Sequence, residues 1–170
     1  MASLTLGSMN FINQESVNSP EMIEKLALKM KENGIKPELE VFDLGMIHKA
    51  KYLMNKDIIN DQNPYFNILM GSLGTVPLDA ASFGAMMHLL PENTVWSTAG
   101  IGTYQLDANI LGIALGGNVR IGLEDNIFFD REKKVLASNE MLIERIAHII
   151  HTMELEIATP EEVRAMLALN

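Results

Sequence analysis

Cysteine is absent from the 170 residues, which removes disulfides, thiolate metal sites and a cysteine nucleophile together and suits a reducing compartment. Any metal would have to sit on His, Asp or Glu. Basic residues are scarce: 13 Lys and Arg stand against 22 Asp and Glu, for a formal net charge of -9. That balance lacks the electrostatic footprint that nucleic-acid backbones require. No apolar run approaches the roughly 20 residues of a membrane span, and the start lacks the basic-then-apolar order of a signal peptide. The expectation is a cytoplasmic protein without nucleic-acid or membrane partners. Linkers rich in Pro, Gly or Ser, low-complexity tracts and internal repeats are also missing, which predicts a single domain over 1–170. The one tryptophan, Trp96, and the 12 methionines read as core material.

What is present is an alternation of strand and helix patterns. Leu4 and Leu6 alternate with Ser3 and Thr5, a strand signal over Ala2 to Ser8. Ser19-Pro20-Glu21 opens a helix that carries Ile23, Leu26, Ala27 and Met30 at helical spacing and stops at Gly34. Further strands are predicted over Glu38 to Asp43, Tyr65 to Met70, Thr94 to Thr98 and Asn118 to Leu123. Helices follow them through Ala50 and Leu53, over Asp79 to Leu90, Tyr104 to Leu115, Asn139 to Met153, and Pro160 to Leu167.

Five strands separated by helices predict a parallel sheet, either doubly wound or barrel. The polar residues favour the barrel. Strands of a doubly wound sheet lie under helices on both faces and read almost wholly apolar, whereas barrel strands keep polar groups on the inner face near the mouth. Ser3 and Thr5, Glu38 and Glu40, and Arg120, Gly122 and Glu124 form that polar face on three strands. A closed barrel has eight strands and about 250 residues, so the reading is a partial (β/α)8 TIM barrel, its last five βα units, with strands expected before Met1.

The chemistry concentrates in Gly116-Gly117-Asn118-Val119-Arg120-Ile121-Gly122-Leu123-Glu124-Asp125-Asn126. Residues four apart on a strand share a face, so Arg120 and Glu124 point the same way and Asp125 follows where the strand gives way to a loop. A cation, a carboxylate ligand and a base would meet at a strand end, where barrel enzymes keep their chemistry. A buried ion pair between Arg120 and Glu124, with Asp125 capping a turn, is the alternative reading. Glu38 and Glu40 form a second inward pair. The loops Gly71-Ser72-Leu73-Gly74 and Gly100-Ile101-Gly102 could let backbone approach a ligand or could be simple turns. His148 and His151 lie three apart on a helix, and they and His48 and His88 read as surface residues, not ligands.

The run GGNVRIGLEDN, with KPELEVFDLGM at Lys36 to Met46, ASNEMLIERIAHI at Ala137 to Ile149 and ATPEEVRAML at Ala158 to Leu167, resembles the β-keto acid cleavage enzymes, typified by 3-keto-5-aminohexanoate cleavage enzyme. The similarity covers essentially the whole chain. It implies a zinc-dependent reaction in which a β-keto acid and acetyl-CoA give acetoacetate and a new CoA thioester. It also implies roles: Glu124 as zinc ligand, Asp125 as the catalytic base, drawn as taking a proton from the acetyl methyl group, and Arg120 as the binder of the substrate carboxylate or developing oxyanion. An active-site glutamate on the second predicted strand matches Glu40 or Glu38, with Glu40 preferred as nearer the mouth, and Thr5 matches a substrate-contacting threonine. The family's other zinc ligands come from a His-x-His motif, which this sequence does not contain. A catalytic zinc needs three protein ligands and an open position, so the chain alone is expected to be inactive. A separate chain carrying the N-terminal half is one way to supply the rest; a non-catalytic remnant serving as a binding or assembly module is the other. The resemblance further implies a homo-oligomer.

Overall fold

The computed structural model describes residues 1–169. In chain order the elements are β1 (Ala2–Thr5), a short hairpin of β2 (Met9–Asn10) and β3 (Glu15–Ser16), α1 (Pro20–Glu32), β4 (Pro37–Val41), α2 (Leu44–Asn55), β5 (Tyr65–Met70), α3 (Ala80–Leu89), β6 (Val95–Gly100), a 3-10 turn at Gly102–Tyr104, α4 (Gln105–Ala114), β7 (Asn118–Val119), α5 (Asn139–Thr152) and α6 (Pro160–Met166). Helix starts are set by side chains that satisfy otherwise unbonded first-turn N–H groups. The Ser19 hydroxyl accepts from Met22 N–H ahead of Pro20, and Asp43 and Asp79 do the same for α2 and α3. Thr159 and Glu162 form a reciprocal capping box at α6. No helix among the described residues is long and apolar enough to cross a membrane.

The main sheet has the order β1-β4-β5-β6-β7, every pair parallel. A doubly wound sheet reverses its strand order at a switch point. This one never reverses, so it forms an arc of a barrel wall. Register fixes the two faces: Leu4, Leu39 and Phe66 pair side by side, and one residue on, Thr5, Glu40, Asn67 and Ser97 do the same. The apolar row points out, where Leu39, Val41, Phe66, Ile68 and Met70 pack with Ile47, Ala50 and Leu53 of α2, all fully buried. The polar row points in.

Two features depart from the sequence expectation. The hairpin β2–β3 was not anticipated, because strands of two residues carry no periodicity to read. The last strand is much shorter than Asn118 to Leu123. Arg120 N–H still donates to the Thr98 carbonyl, 2.9 Å, but the chain then turns: Asp125 and Asn126 both donate to the Gly122 carbonyl at 3.3 Å. The ladder ends at Arg120, and Gly122, read as a strand residue, opens the turn, so Ile121 and Leu123 do not continue a strand face.

Candidate active site

The polar row builds two layers across the concave face. In the deeper one, Ser3 Oγ donates to Glu38 Oε2 (2.9 Å), Asn67 Nδ2 to Glu38 Oε1 (3.0 Å), Ser97 Oγ to Asn67 Oδ1 (3.0 Å) and Tyr65 OH to Ser97 Oγ (2.9 Å). Burial raises the Tyr65 phenol above its usual range, partly offset by the Ser97 hydrogen bond. Asn67 and Ser97 are buried, Glu38 and Tyr65 half-buried and Ser3 exposed, and polar groups that satisfy one another in this way fix the inner face. Glu38 is consumed by this network. The two inward glutamates are therefore distinct, and Glu40 is the one at the mouth.

There Arg120 is the hub. Its Nη1 donates to Glu40 Oε1 at 2.8 Å, while Nε and Nη2 grip Asp125 Oδ2 and Oδ1 at 3.0 and 3.1 Å. Nη2 also lies 3.2 Å from Glu124 Oε2. Thr5 Oγ1 donates to the other Glu40 oxygen at 2.7 Å. A planar guanidinium can serve three carboxylates at once because its donors fan out in a fixed fork. The partners are unequal. The side chains of Asp125 and Glu40 are 4% and 13% exposed, whereas that of Glu124 is 85% exposed. An exposed ion pair contributes little, so Glu124 is the partner that can leave Arg120 for another ligand. The alternative reading of a buried Arg120–Glu124 pair is corrected on this point: the pair exists, but the carboxylate is at the surface, placed there by the turn.

Two amides that sequence reading passed over hold this turn. Gln105 Nε2 donates to the Gly122 carbonyl (2.8 Å), and Asn109 Nδ2 donates to the carbonyls of Arg120 (2.9 Å) and Thr98 (3.2 Å). Both are fully buried, and their signal was present as polar residues on the inner side of an otherwise apolar helix. Asp125 is fastened again by its own carbonyl, which accepts from Gly102 N–H at 2.7 Å.

Burial pushes the Asp125 carboxyl above its ordinary 3.8, with Glu124 and Glu40 adding to the rise and Arg120 opposing it. For Arg120, burial alone would lower the pKa, but Asp125, Glu124 and Glu40 together raise it. One permanent cation thus faces three acids, and burial is the largest cause of the rise at Asp125. A carboxyl tuned upward beside a fixed cation is what proton abstraction near neutral pH calls for.

Thr5, Glu40, Arg120, Glu124 and Asp125 line one cleft of about 370 Å³, with Met9, Phe11, Phe42, Leu69 and Ile101 as apolar walls. The hairpin supplies part of the rim through Gln14 and Ser16, anchored where Phe11 meets Phe42 edge-on at 5.8 Å. The two glycine loops serve packing. A Cβ on Gly71, whose φ is +91, would lie 2.6 Å from the Tyr104 ring, and one on Gly100 would lie 2.2 Å from the Tyr104 carbonyl. Gly100→Ala is expected to cost about 1–3 kcal/mol by overpacking, read as a lower denaturation midpoint at unchanged slope.

No group of three or more His, Asp or Glu suited to a metal ion occurs among the described residues, and none of the four histidines lines the cleft. Glu124 can offer one carboxylate; Glu40 and Asp125 are committed to Arg120 and Thr5. The residues present therefore do not amount to a catalytic zinc site, which takes three protein ligands.

An arc of parallel strands carrying a cation and a raised carboxyl at its mouth defines part of a barrel wall. A family model described as "beta-keto acid cleavage enzyme" matches residues 1–169, and the chain belongs to that family. It is 38% identical to a 3-keto-5-aminohexanoate cleavage enzyme of Fusobacterium nucleatum, covering 100% of this chain and 61% of that protein. It is 34% identical to a 3-dehydrocarnitine:acetyl-CoA trimethylamine transferase of Rhizobium meliloti (100% and 56%) and 36% identical to a 3-oxoadipate:acetyl-CoA acetyltransferase of Cupriavidus necator (99% and 60%). The chain thus spans about three-fifths of the length of the curated relatives it matches. Among solved structures, a ternary complex of ObcA with a C4-CoA adduct and oxalate superposes with a TM-score of 0.78 at 17% identity, covering 98% of this chain and 45% of that one. That likeness supports the partial-barrel fold.

Proposed function

We propose that this chain carries the acid–base part of a β-keto acid cleavage site, which exchanges carbon fragments between a β-keto acid and acetyl-CoA once the barrel is complete. The observation that carries the reading is the Arg120 hub with a buried, upward-shifted Asp125. Atom balance sharpens the assignment. For the products to be acetoacetate and a new acyl-CoA, a bond must form between C2 of the β-keto acid and the acetyl carbonyl carbon. The thiolate released from acetyl-CoA then adds to C3, and the bond from C2 to C3 breaks with its electron pair left on C2, which takes back the proton removed at the start. The proton to be removed is therefore on C2, between keto and carboxylate groups, and not on the acetyl methyl group.

Asp125 is the base for that proton. Arg120 turns its Nη2 from Glu124 to the incoming carboxylate or enolate oxygen, because Glu124 is the partner held least firmly. Glu40 and Thr5 keep the guanidinium plane fixed while this happens. Glu124 is then free to join a metal whose remaining ligands come from outside the described residues. A divalent metal held there would supply Lewis-acid polarisation of a substrate oxygen. Use of acetyl-CoA would place the reaction in the cytoplasm. A non-catalytic module has no observation in its favour that the reaction reading lacks.

The test is to co-express the chain with the part of the Fusobacterium relative that it does not span, supply zinc, and assay acetyl-CoA-dependent loss of a panel of β-keto acids. Turnover of at least one acid is expected, with acetoacetate as product; none across the panel from a folded complex defeats the proposal. The rate should climb with pH through the raised pKa of Asp125, so the acid limb of the profile lies above 3.8. An acid limb at or below that value would contradict a buried base. Linkage gives stability the opposite sign. The folded state holds this proton longer than the unfolded one, so the contribution is fully present below 3.8 and is lost as pH rises through the folded value.

A further inference from the structure

The hairpin β2–β3 walls the cleft on a side that the proton transfer does not use. Met9 pairs with Ser16 and Asn10 with Glu15, and residues directly opposite on an antiparallel pair share a face. Met9 and Ser16 line the cleft together with Phe11 and Gln14, whose backbones close the turn through a 2.8 Å bond from Phe11 N–H to the Gln14 carbonyl. Glu15, the only charged residue from Met9 to Asn18, lies on the other face with Asn10, and both are exposed. The hairpin is held at its stem and along its flank. Ser8 Oγ accepts from Asn18 N–H at 2.8 Å, and Asn18 Nδ2 donates to the Gly7 carbonyl and to Ser16 Oγ, both at 3.2 Å. A Cβ added to Gly74, whose φ is +85, would lie 2.7 Å from the Asn10 carbonyl oxygen, so the hairpin rests directly on the loop after β5.

Charge is spread unevenly over this cleft. Arg120 is the one basic residue among the described residues that line it, and the walls away from it are Met9, Phe11, Phe42, Leu69 and Ile101, with neutral Gln14 and Ser16 on the hairpin. A β-keto acid engages Arg120 through its own carboxylate. A second carboxylate further along the chain would then meet apolar walls and neutral hydrogen-bonding groups beside two acids. Burying a charge without a counter-ion is costly, and placing it near like charge adds to the cost. An ammonium would find Glu40 and Asp125 already bonded to Arg120. We infer that the hairpin face of Met9, Phe11, Gln14 and Ser16 sets side-chain specificity, and that it selects β-keto acids with a single carboxylate and an uncharged chain beyond C3. The inference rests on the proposed function in taking Arg120 as the seat of the acid's carboxylate, and it is read by binding in the absence of acetyl-CoA, where nothing turns over.

Three β-keto acids of equal chain length form a charge ladder: 3-oxohexanoate, uncharged beyond C3; 3-oxoadipate, with a second carboxylate; and 5-amino-3-oxohexanoate, with an ammonium. Titration calorimetry on the zinc-loaded complex of this chain with the unspanned part of the Fusobacterium relative should give 3-oxohexanoate a Kd at least about tenfold below the other two. Gln14→Arg places a cation on the cleft face at an exposed position and should tighten 3-oxoadipate by at least about tenfold relative to 3-oxohexanoate. Asn10→Arg makes the same charge change on the opposite face and should leave that ratio within about twofold. Tighter binding of either charged acid by the unmodified complex overturns the selectivity. A ratio that Gln14→Arg does not move, or that Asn10→Arg moves as far, overturns the role of the hairpin, and so does failure of all three acids to bind a folded complex. The expected order of binding without turnover on adding acetyl-CoA would uphold this inference and count against the proposed reaction.

Discussion

Asp125→Asn in the completed barrel should cut turnover by about 10²–10⁴, the range that a positioned acid or base supplies, while leaving the chain folded. Asparagine keeps the shape of the side chain and can still face Arg120 through its carbonyl oxygen, so the turn anchored by the Gly102 N–H and the Gly122 carbonyl survives. What disappears is the one carboxyl at the mouth that is both nearly water-free and raised above its usual range. Unchanged turnover would move the base elsewhere; Glu40 is next to hand, held by Thr5 and Arg120. The loss should fall on kcat more than on KM, because the lost interaction belongs to the proton-transfer step.

The second large effect belongs to Arg120→Ala, and it falls on stability as well as activity. Removing the guanidinium strands Asp125 and Glu40 in a setting only 4% and 13% exposed. Breaking a buried pair by deleting one partner typically costs 3–5 kcal/mol. Because Arg120 itself remains 21% exposed, about 3 kcal/mol is expected in a denaturant titration near neutral pH. The loss should shrink as the stranded carboxyls protonate at low pH. Arg120→Lys should restore part of the stability by returning the charge, but little of the activity, since an ammonium cannot reproduce the two-point grip on Asp125. A stability loss in Arg120→Ala that does not depend on pH would argue that packing, and not charge, is what the residue provides.

The alternation of Ser3, Leu4 and Thr5, and of Glu38, Leu39, Glu40 and Val41, separated the two faces of the wall correctly, because barrel strands repeat a period of two that survives in any context. The helix start at Ser19 was legible for a similar reason: its capping hydrogen bond is local. The resemblance gathered Thr5, Glu40, Arg120, Glu124 and Asp125, which the structure brings around one cleft. The relation between them was not legible. That Arg120 reaches Glu40 across 80 positions of sequence depends on register across four strands. That Glu124 ends up exposed depends on a turn whose glycine reads equally well as a strand residue. The hairpin β2–β3 carried no periodic signal, and the amides Gln105 and Asn109, though visible as polar residues on the inner side of α4, gave no hint of the carbonyls they hold, which lie 11 and 17 positions away.

The most direct test of the reaction assigned to this site follows a carbon atom. The completed barrel, with zinc present, is given acetyl-CoA labelled with ¹³C at the acetyl carbonyl and an unlabelled β-keto acid, and the products are read by NMR. The label should appear at the keto carbon of acetoacetate and be absent from the new thioester, because the bond forms between that carbon and C2 of the acid. Label in the new thioester, or acetoacetate without label, would contradict the account.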